Sequence, residues 1–401
     1  MIKILVVAQF DSIHTSRWVR QFDSKYEIYL FPSIFRQAHK SLRDKPTRNP
    51  FRSNSDNSAK KSRVFLVQVL PWSWLNFILN GVIQKFLSSS WKLWLLKKTI
   101  RSIQPDLIHS LELQNAGYLC LDAKLDLASQ MPTWIATNWG SDIYYFAQFE
   151  DHKKRIIPIL QTANYYSAEC TRDYVLAQKM GMTAKPLPVI PNAGGLELDL
   201  CLRLRNQITP SQRKTIILKG YQSVFGRAFN GLEALALIQN QLGGMKVVIY
   251  SASDAVTEKA RSLLTSPHLQ LKIYHHDQPL THTQILEIQA ESRVYIGLSV
   301  SDGICTSLLE SMALGSFPIQ TDTSCAEEWV VPDQSGFIVK YEDIQTLSKL
   351  ILKAVQDNDL VDHAAKINWD VISQKASKEK IQSVATSFYE TALKESATVV
   401  K

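Results

Sequence analysis

Cysteine is scarce in this sequence and never paired locally. Cys120, Cys170, Cys201, Cys305 and Cys325 lie far apart with no C-x-x-C among them. An odd, scattered set reads as reduced thiols of a cytoplasmic protein, not as a disulfide framework. The opening apolar run, MIKILVVAQF, is too short for a signal peptide and passes at once into polar sequence. The stretch 64–84 is uncharged and nearly long enough to span a bilayer. Gln68, Pro71, Ser73, Asn76, Asn80 and Gly81 interrupt it, and strand, turn and helix is the better reading. Neither G-x-x-x-x-G-K-[ST] nor G-x-G-x-x-G occurs, which disfavours a P-loop enzyme and a nicotinamide enzyme. No short repeat is present. The one D-x-D, Asp357-Asn358-Asp359, follows a helical pattern and reads as a solvated helix end. His275-His276-Asp277 lacks further ligands at metal spacing, so no metal is expected.

What the chain does have is an ordinary globular composition, 45% hydrophobic and 20% charged over 401 residues, enough for two domains with separate cores. Its net charge of +8 implies affinity for something anionic: nucleic acid, an acidic membrane surface or a diphosphate. Part of that charge is concentrated in 39–63, where Lys40, Arg43, Lys45, Arg48, Arg52, Lys60, Lys61 and Arg63 face only Asp44 and Asp56. A solvated, mobile loop is one reading. A loop that meets anionic lipid head groups or an anionic acceptor is the other. The helical pattern 72–103 follows, ending in Trp91, Lys92, Trp94, Lys97, Lys98 and Arg101. Interleaved Trp and Lys suit a membrane interface and equally a helix packing Trp inward. No aromatic-basic strand face resembles a nucleic-acid module, so nucleic acid is not an expected partner.

Short apolar runs alternate with helical patterns along the chain. Strands are expected at 2–8, 26–31, 64–70, 106–109, 133–137, 164–167 and 188–190. The turn cluster Pro191-Asn192-Ala193-Gly194-Gly195 and a polar stretch to residue 214, read as a linker, then intervene. The alternation restarts with strands at 215–219, 246–250, 271–274, 294–298 and 317–320. Two runs of βα units predict an α/β protein of two Rossmann-like parallel-sheet domains, at 1–195 and 196–366. Ligands would lie at the carboxyl ends of the strands, in the cleft between the domains. The last segment, 367–401, is helical and free to cross back to the first domain.

One stretch, 299–328, concentrates the chemistry. A buried strand leads to a turn holding Asp302 and Gly303. Hydroxyls follow (Thr306, Ser307), then a helix carrying Glu310 and stopped by Gly315 and Pro318. A helix N-terminus just past a strand presents unpaired amides and a positive dipole end, which suits phosphate. Acids on both sides of the turn suit hydroxyls, and together these features suggest a nucleotide-sugar site. Ser307 and Glu310 also have capping-box spacing, in which Glu310 would only satisfy the helix's first amide.

The run from Asp302 to Gly315 closely resembles the signature of retaining glycosyltransferases of the GT-B fold, family 4: an acid, seven residues, Glu, then a small-residue helix and a Pro-bearing strand. Asp302 stands where Glu is usual and Ser311 where Ala is usual. Glu328, Asp333 and Gly336 resemble the family's continuation. Pro105-Asp106-Leu107-Ile108-His109, Trp139-Gly140-Ser141-Asp142 and Ile190-Pro191-Asn192 resemble its N-terminal motifs. The resemblance implies that Glu310 holds the donor's ribose and Asp302 its sugar hydroxyls. The amides around Ile304, Cys305 and Thr306 would meet the diphosphate or sugar, and the loop at Tyr274 and His275 would read the base. Lys219 and Arg227 are the cations for the leaving group, because Asn230-Gly231 aligns with a Lys-Gly that is usual in the family. Trp139 replaces a usual His, which leaves His14, Asn138 and Asp142 on the acceptor or sugar side. His109 reads either as part of that side or as a core histidine.

The expected activity is retaining, metal-independent transfer of a sugar from a nucleotide-diphosphate sugar, with no cofactor. The expected acceptor is a glycan or lipid-linked molecule in cell-surface polysaccharide or glycolipid synthesis. Peripheral contact with the inner face of an anionic membrane is compatible with this. A sugar-nucleotide epimerase of the same fold and a catalytically silent nucleotide-sugar-binding partner remain open as alternatives.

Overall fold

A computed structural model describes residues 1–22, 25–51, 63–68 and 90–399, with side chains described as far as residue 394. Residues 69–84 of the segment read as strand, turn and helix, 72–89 of the helical pattern and 52–62 of the basic loop fall outside the described residues. Contacts divide the chain into two units, Met1–Gly194 with Ile381–Lys401, and Gly195–Lys380.

The first unit holds β1 (Lys3–Ala8), β2 (Glu27–Pro32), β3 (Thr47–Arg48), β4 (Val64–Val67), β5 (Leu107–Leu111), β6 (Thr133–Thr137), β7 (Tyr165–Ser167) and β8 (Lys185–Pro186). They form one sheet in the order β3-β4-β2-β1-β5-β6-β7-β8, and every pairing is parallel. Central β1 is apolar from Ile4 to Ala8, as a strand covered on both faces must be. Leu5 and Val7 enter one core, while Ile4, Val6 and Ala8 enter the other. The second core is closed by the helix Lys378–Val399, whose Ile381, Ala385, Phe388, Tyr389 and Ala392 recur at helical spacing and are buried. Tyr389 Oη accepts a hydrogen bond from Trp18 Nε1 (2.9 Å) and lies 3.0 Å from His109 Nδ1. His109 Nε2 lies 2.6 Å from Thr137 Oγ1. Fully buried, His109 is a core histidine, and burial lowers its pKa to about 3.

Three local expectations are corrected. No strand forms at 188–190. Pairing with β7 occurs earlier, at Lys185–Pro186, and Leu187 N donates to Tyr166 O (2.9 Å), after which prolines 188 and 191 bring no amide to the ladder. The stretch read as a linker contains a helix, Leu198–Arg205, whose Cys201 is buried in a core shared with Leu308, Leu309 and Leu286. Within the basic region, Lys40–Leu42 forms a helical turn with Leu42 buried, and Thr47–Arg48 joins the sheet edge. In the helix Ser90–Ile103 the inward residues are Leu95, Leu96, Thr99, Ile100 and Ile103. Trp94 stacks on Phe51 with ring centroids 5.5 Å apart, and both are exposed. Among the described residues no helix is long and apolar enough to cross a membrane.

The second unit holds β9 (Thr215–Lys219), β10 (Lys246–Ala252), β11 (Gln270–His275), β12 (Ser292–Gly297), β13 (Phe317–Thr321) and β14 (Phe337–Val339). Its parallel sheet runs β11-β10-β9-β12-β13-β14. Ile216, Leu218, Val294 and Ile296 fill one face, and Ile217 and Tyr295 the other. Strand order reverses between β9 and β12. Open α/β sheets bind ligands at such a switch point, outside the carboxyl ends of the strands. Those ends carry Lys219 and the stretch that begins at Leu298.

Candidate active site

Two loops meet at the switch point. After β9, Gly220 N donates to Tyr250 O (2.8 Å), and a Cβ on Gly220 would stand 2.8 Å from that oxygen and 3.0 Å from Ala252 Cα. Only glycine lets the backbone turn so close to β10. The loop folds back on itself through a bridge between Gln222 and Arg227 and zips onto the stretch after β12. Arg227 N donates to Leu298 O (3.1 Å) and Val300 N to Phe225 O (2.8 Å). Gly226 has the same need as Gly220, since its Cβ would fall 2.2 Å from Tyr221 O.

The second loop turns at Asp302, whose N donates to Thr323 O (3.2 Å) and whose Oδ1 accepts from Gly303 N (2.9 Å). The helix Thr306–Ala313 then begins, with Cys305 as N-cap and no capping bond from the Cys305 side chain. That start excludes the capping box: Ser307 lies inside the helix. Glu310, buried on the same helix, instead receives His282 Nε2 on Oε1 at 2.7 Å. Leu308 N and Leu309 N donate to Cys305 O (2.9 and 3.2 Å), so it is the amides at Thr306 and Ser307, with the positive end of the helix, that suit an anion.

Lys219 joins this helix start. Its Nζ lies 3.9 Å from Cys305 Sγ and 4.6 Å from the centre of the Tyr221 ring. Burial works against its charge, but Cys305, Tyr250, Tyr221 and Asp302 outweigh that and raise its pKa. The structure thus brings Lys219, Asp302, Ile304, Cys305, Thr306 and Glu310 to one edge of the sheet. Arg227 stands beside them with Nη1 donating to the carbonyls of Ser223 (2.9 Å), Val224 (3.3 Å) and Gly226 (2.9 Å), so it holds its own loop in shape. Asn230, where the family pattern has lysine, donates from Nδ2 to Tyr341 O (2.7 Å).

Tyr274 and His275 end β11, two strands from β9. His275 Nε2 lies 3.1 Å from Asp254 Oδ1, a neighbour that spacing did not reveal, and Nδ1 accepts from Asp277 N (3.3 Å).

In the first unit Asn138 and Asp142 require correction, because both side chains are buried and turned to the protein. Asn138 Nδ2 donates to Asp173 Oδ2 (2.7 Å). Asp142 Oδ2 accepts from Leu113 N and Trp139 N, each at 2.8 Å. Asp142 closes the Trp139–Asp142 turn, and Asn138 ties that turn to Asp173 and, through its carbonyl, to Asn192 Nδ2 (3.2 Å). Burial, with Glu112 nearby, raises the Asp142 pKa. Trp139 itself meets the half-buried His14 ring edge-on, with centroids 5.9 Å apart. Sequence reasoning missed Glu112 and Glu169. Glu112 has a positive φ of 79° and accepts from Asn115 N (2.8 Å) and Ala116 N (2.6 Å); burial lifts its pKa to about 7. Glu169 accepts from Asn192 N (3.0 Å) and Gly140 N (3.3 Å). An acid directly after strand β5 was the available signal for Glu112.

Residues 228–368 match the family described as glycosyl transferases group 1, and residues 81–170 match glycosyl transferase 4-like proteins. With these matches and the two parallel sheets, the chain belongs to the group 1 glycosyltransferases of the GT-B fold. Solved structures agree on the fold. Sucrose-phosphate synthase from Thermosynechococcus elongatus is similar with a TM-score of 0.65 and 14% identity, over 98% of this chain and 99% of that one. Anabaena HepE in complex with UDP-glucose gives 0.65 and 14%, over 98% and 100%. A glycosyltransferase from Rickettsia africae ESF-5 gives 0.64 and 14%, over 98% and 99%. A comparison with curated proteins finds no match.

Proposed function

We propose that this glycosyltransferase is retaining and metal-independent, and moves a sugar from a nucleotide-diphosphate sugar to a glycan or lipid-linked acceptor. The observation that carries this reading is the second unit's switch point, where one uncapped helix start lies between two acids and beside a lysine. The diphosphate is assigned to the amides at Thr306 and the Lys219 ammonium. Glu310 takes the ribose hydroxyls and Asp302 those of the sugar, at charge-assisted strength of about 1.5–3 kcal/mol per bond. Charge grows on the diphosphate as the glycosidic bond breaks. A fixed cation and helix amides stabilise it there without a metal. The acceptor attacks from the leaving group's side, and a diphosphate oxygen takes its proton, so no side-chain base is needed.

The complex of HepE with UDP-glucose supports a nucleotide-sugar donor. For the acceptor, the exposed Phe51–Trp94 stack supports a lipid-linked molecule met at an anionic membrane surface. Screening UDP-, GDP- and ADP-sugars for protection against thermal unfolding tests the donor, since a ligand at 100 times its Kd adds about 2.7 kcal/mol. Proton NMR of the product's anomeric proton, with and without chelator, tests retention and metal independence. Binding without transfer to any acceptor would favour a silent partner, and an altered free sugar would favour an epimerase.

A further inference from the structure

Only 5% of the Glu310 side chain is exposed, yet the group that meets it, His282, is half exposed. Among the described residues, His282 Nε2 is the one hydrogen-bond partner of this carboxylate, at 2.7 Å from Oε1. His282 opens the helix His282–Ala290, whose N-terminus is already closed by a capping box. Thr281 N donates to Gln284 Oε1 (2.9 Å), and Gln284 N to Thr281 Oγ1 (3.3 Å). The imidazole is therefore not needed by its own helix. The same helix holds the Glu310 helix a second time, through Gln289 Nε2 donating to Ser307 O (3.4 Å). Cys201, Tyr250 and Tyr295, the titratable groups whose own balance Glu310 affects, are a buried thiol and two buried phenols, which supply no positive charge.

A carboxylate offers about four lone-pair positions. One is taken by His282, which leaves room for two hydroxyls. A carboxylate held by no donor is free to rotate away from a ligand, whereas one fixed oxygen sets where the other lone pairs point. We propose that His282 is a positioning residue for the nucleoside diphosphate: it holds Glu310 in the orientation that recognises the ribose diol. This rests on the reading that Glu310 takes the ribose hydroxyls.

The test separates the two ideas. UDP, GDP and ADP are titrated into the full chain by calorimetry, and the best binder is compared with its 2′,3′-dideoxy counterpart. In the wild type the ribose form should bind at least about tenfold tighter. His282→Ala should reduce that ratio about tenfold while leaving affinity for the dideoxy form unchanged. His282→Gln, which keeps an N–H for Oε1, should restore most of the ratio. A merely structural role would weaken both nucleotides alike. Full ribose discrimination in His282→Ala, together with its loss in Glu310→Gln, overturns the proposal and leaves the site reading intact. Unchanged discrimination in Glu310→Gln, or no binding of any of the three nucleotides, overturns both.

Discussion

Replacing Lys219 by Met probes the leaving-group chemistry directly. Lys219 is the last residue of β9 and reaches the start of the helix Thr306–Ala313, with Nζ 3.9 Å from Cys305 Sγ. Met keeps the length and most of the volume of the side chain and removes only the charge. The site is apolar enough around Tyr221 and Tyr250 to accept it, so stability should change by less than about 1.5 kcal/mol. The effect on catalysis should be much larger. A preorganised group facing charge that develops in the transition state is worth about 2.7–4 kcal/mol, or about 10²–10³ in kcat. Binding of intact donor should weaken far less, because its diphosphate is still bound by the helix amides. Single-turnover transfer gives the chemical step, and calorimetry with the donor gives the ground state. A Lys219→Met protein that folds normally and transfers sugar within about threefold of wild type would refute the assignment, since Lys219 would then not be the cation acting at the reacting end.

Arg227→Ala should lower turnover at least about a hundredfold, through lost charge and through release of the three carbonyls it holds; a wild-type rate would remove it from the site. Gly220→Ala places a Cβ 2.8 Å from Tyr250 O and should destabilise the second unit by about 1–3 kcal/mol in urea, with weaker donor binding. His109 is neutral when folded, with a pKa near 3 against the ordinary value of 6.5. The unfolded chain therefore binds the extra proton between these values. The contribution is complete above pH 6.5 and lost as pH falls, by about 2 kcal/mol at pH 5. Urea denaturation at pH 7 and pH 5 should show the stability gap between wild type and His109→Gln narrowing by that amount. An unchanged gap would contradict the neutral assignment.

Much of the fold is legible because its signals are local. Continuous apolar runs such as Ile4–Ala8 and Ile216–Leu218 can only be strands covered on both sides, and the glycine and proline after Glu310 end its helix on schedule. The misses have a common form. The polar look of 196–214 hides a helix, because its one buried face is small and completed by other helices. Glu112 and Glu169 escape notice because their partners are backbone amides, which leave no trace in residue type.

The order of apolar runs, turns and helix caps, each resolved within a few residues by backbone sterics and hydrophobic period, is enough to specify two parallel-sheet units and the strand–turn–helix carrying Asp302 and Glu310. What those side chains do depends on neighbours far away in the chain. His282 lies 28 positions before Glu310, Lys219 lies 86 before Cys305, and His109 lies 280 before Tyr389. Sheet order brings these pairs within 4 Å, and burial then sets which carboxylate is held for a ligand, which lysine stays charged and which histidine stays neutral. A carboxylate or an imidazole has no fixed role until its solvation and its donors are set, and only the tertiary structure sets them.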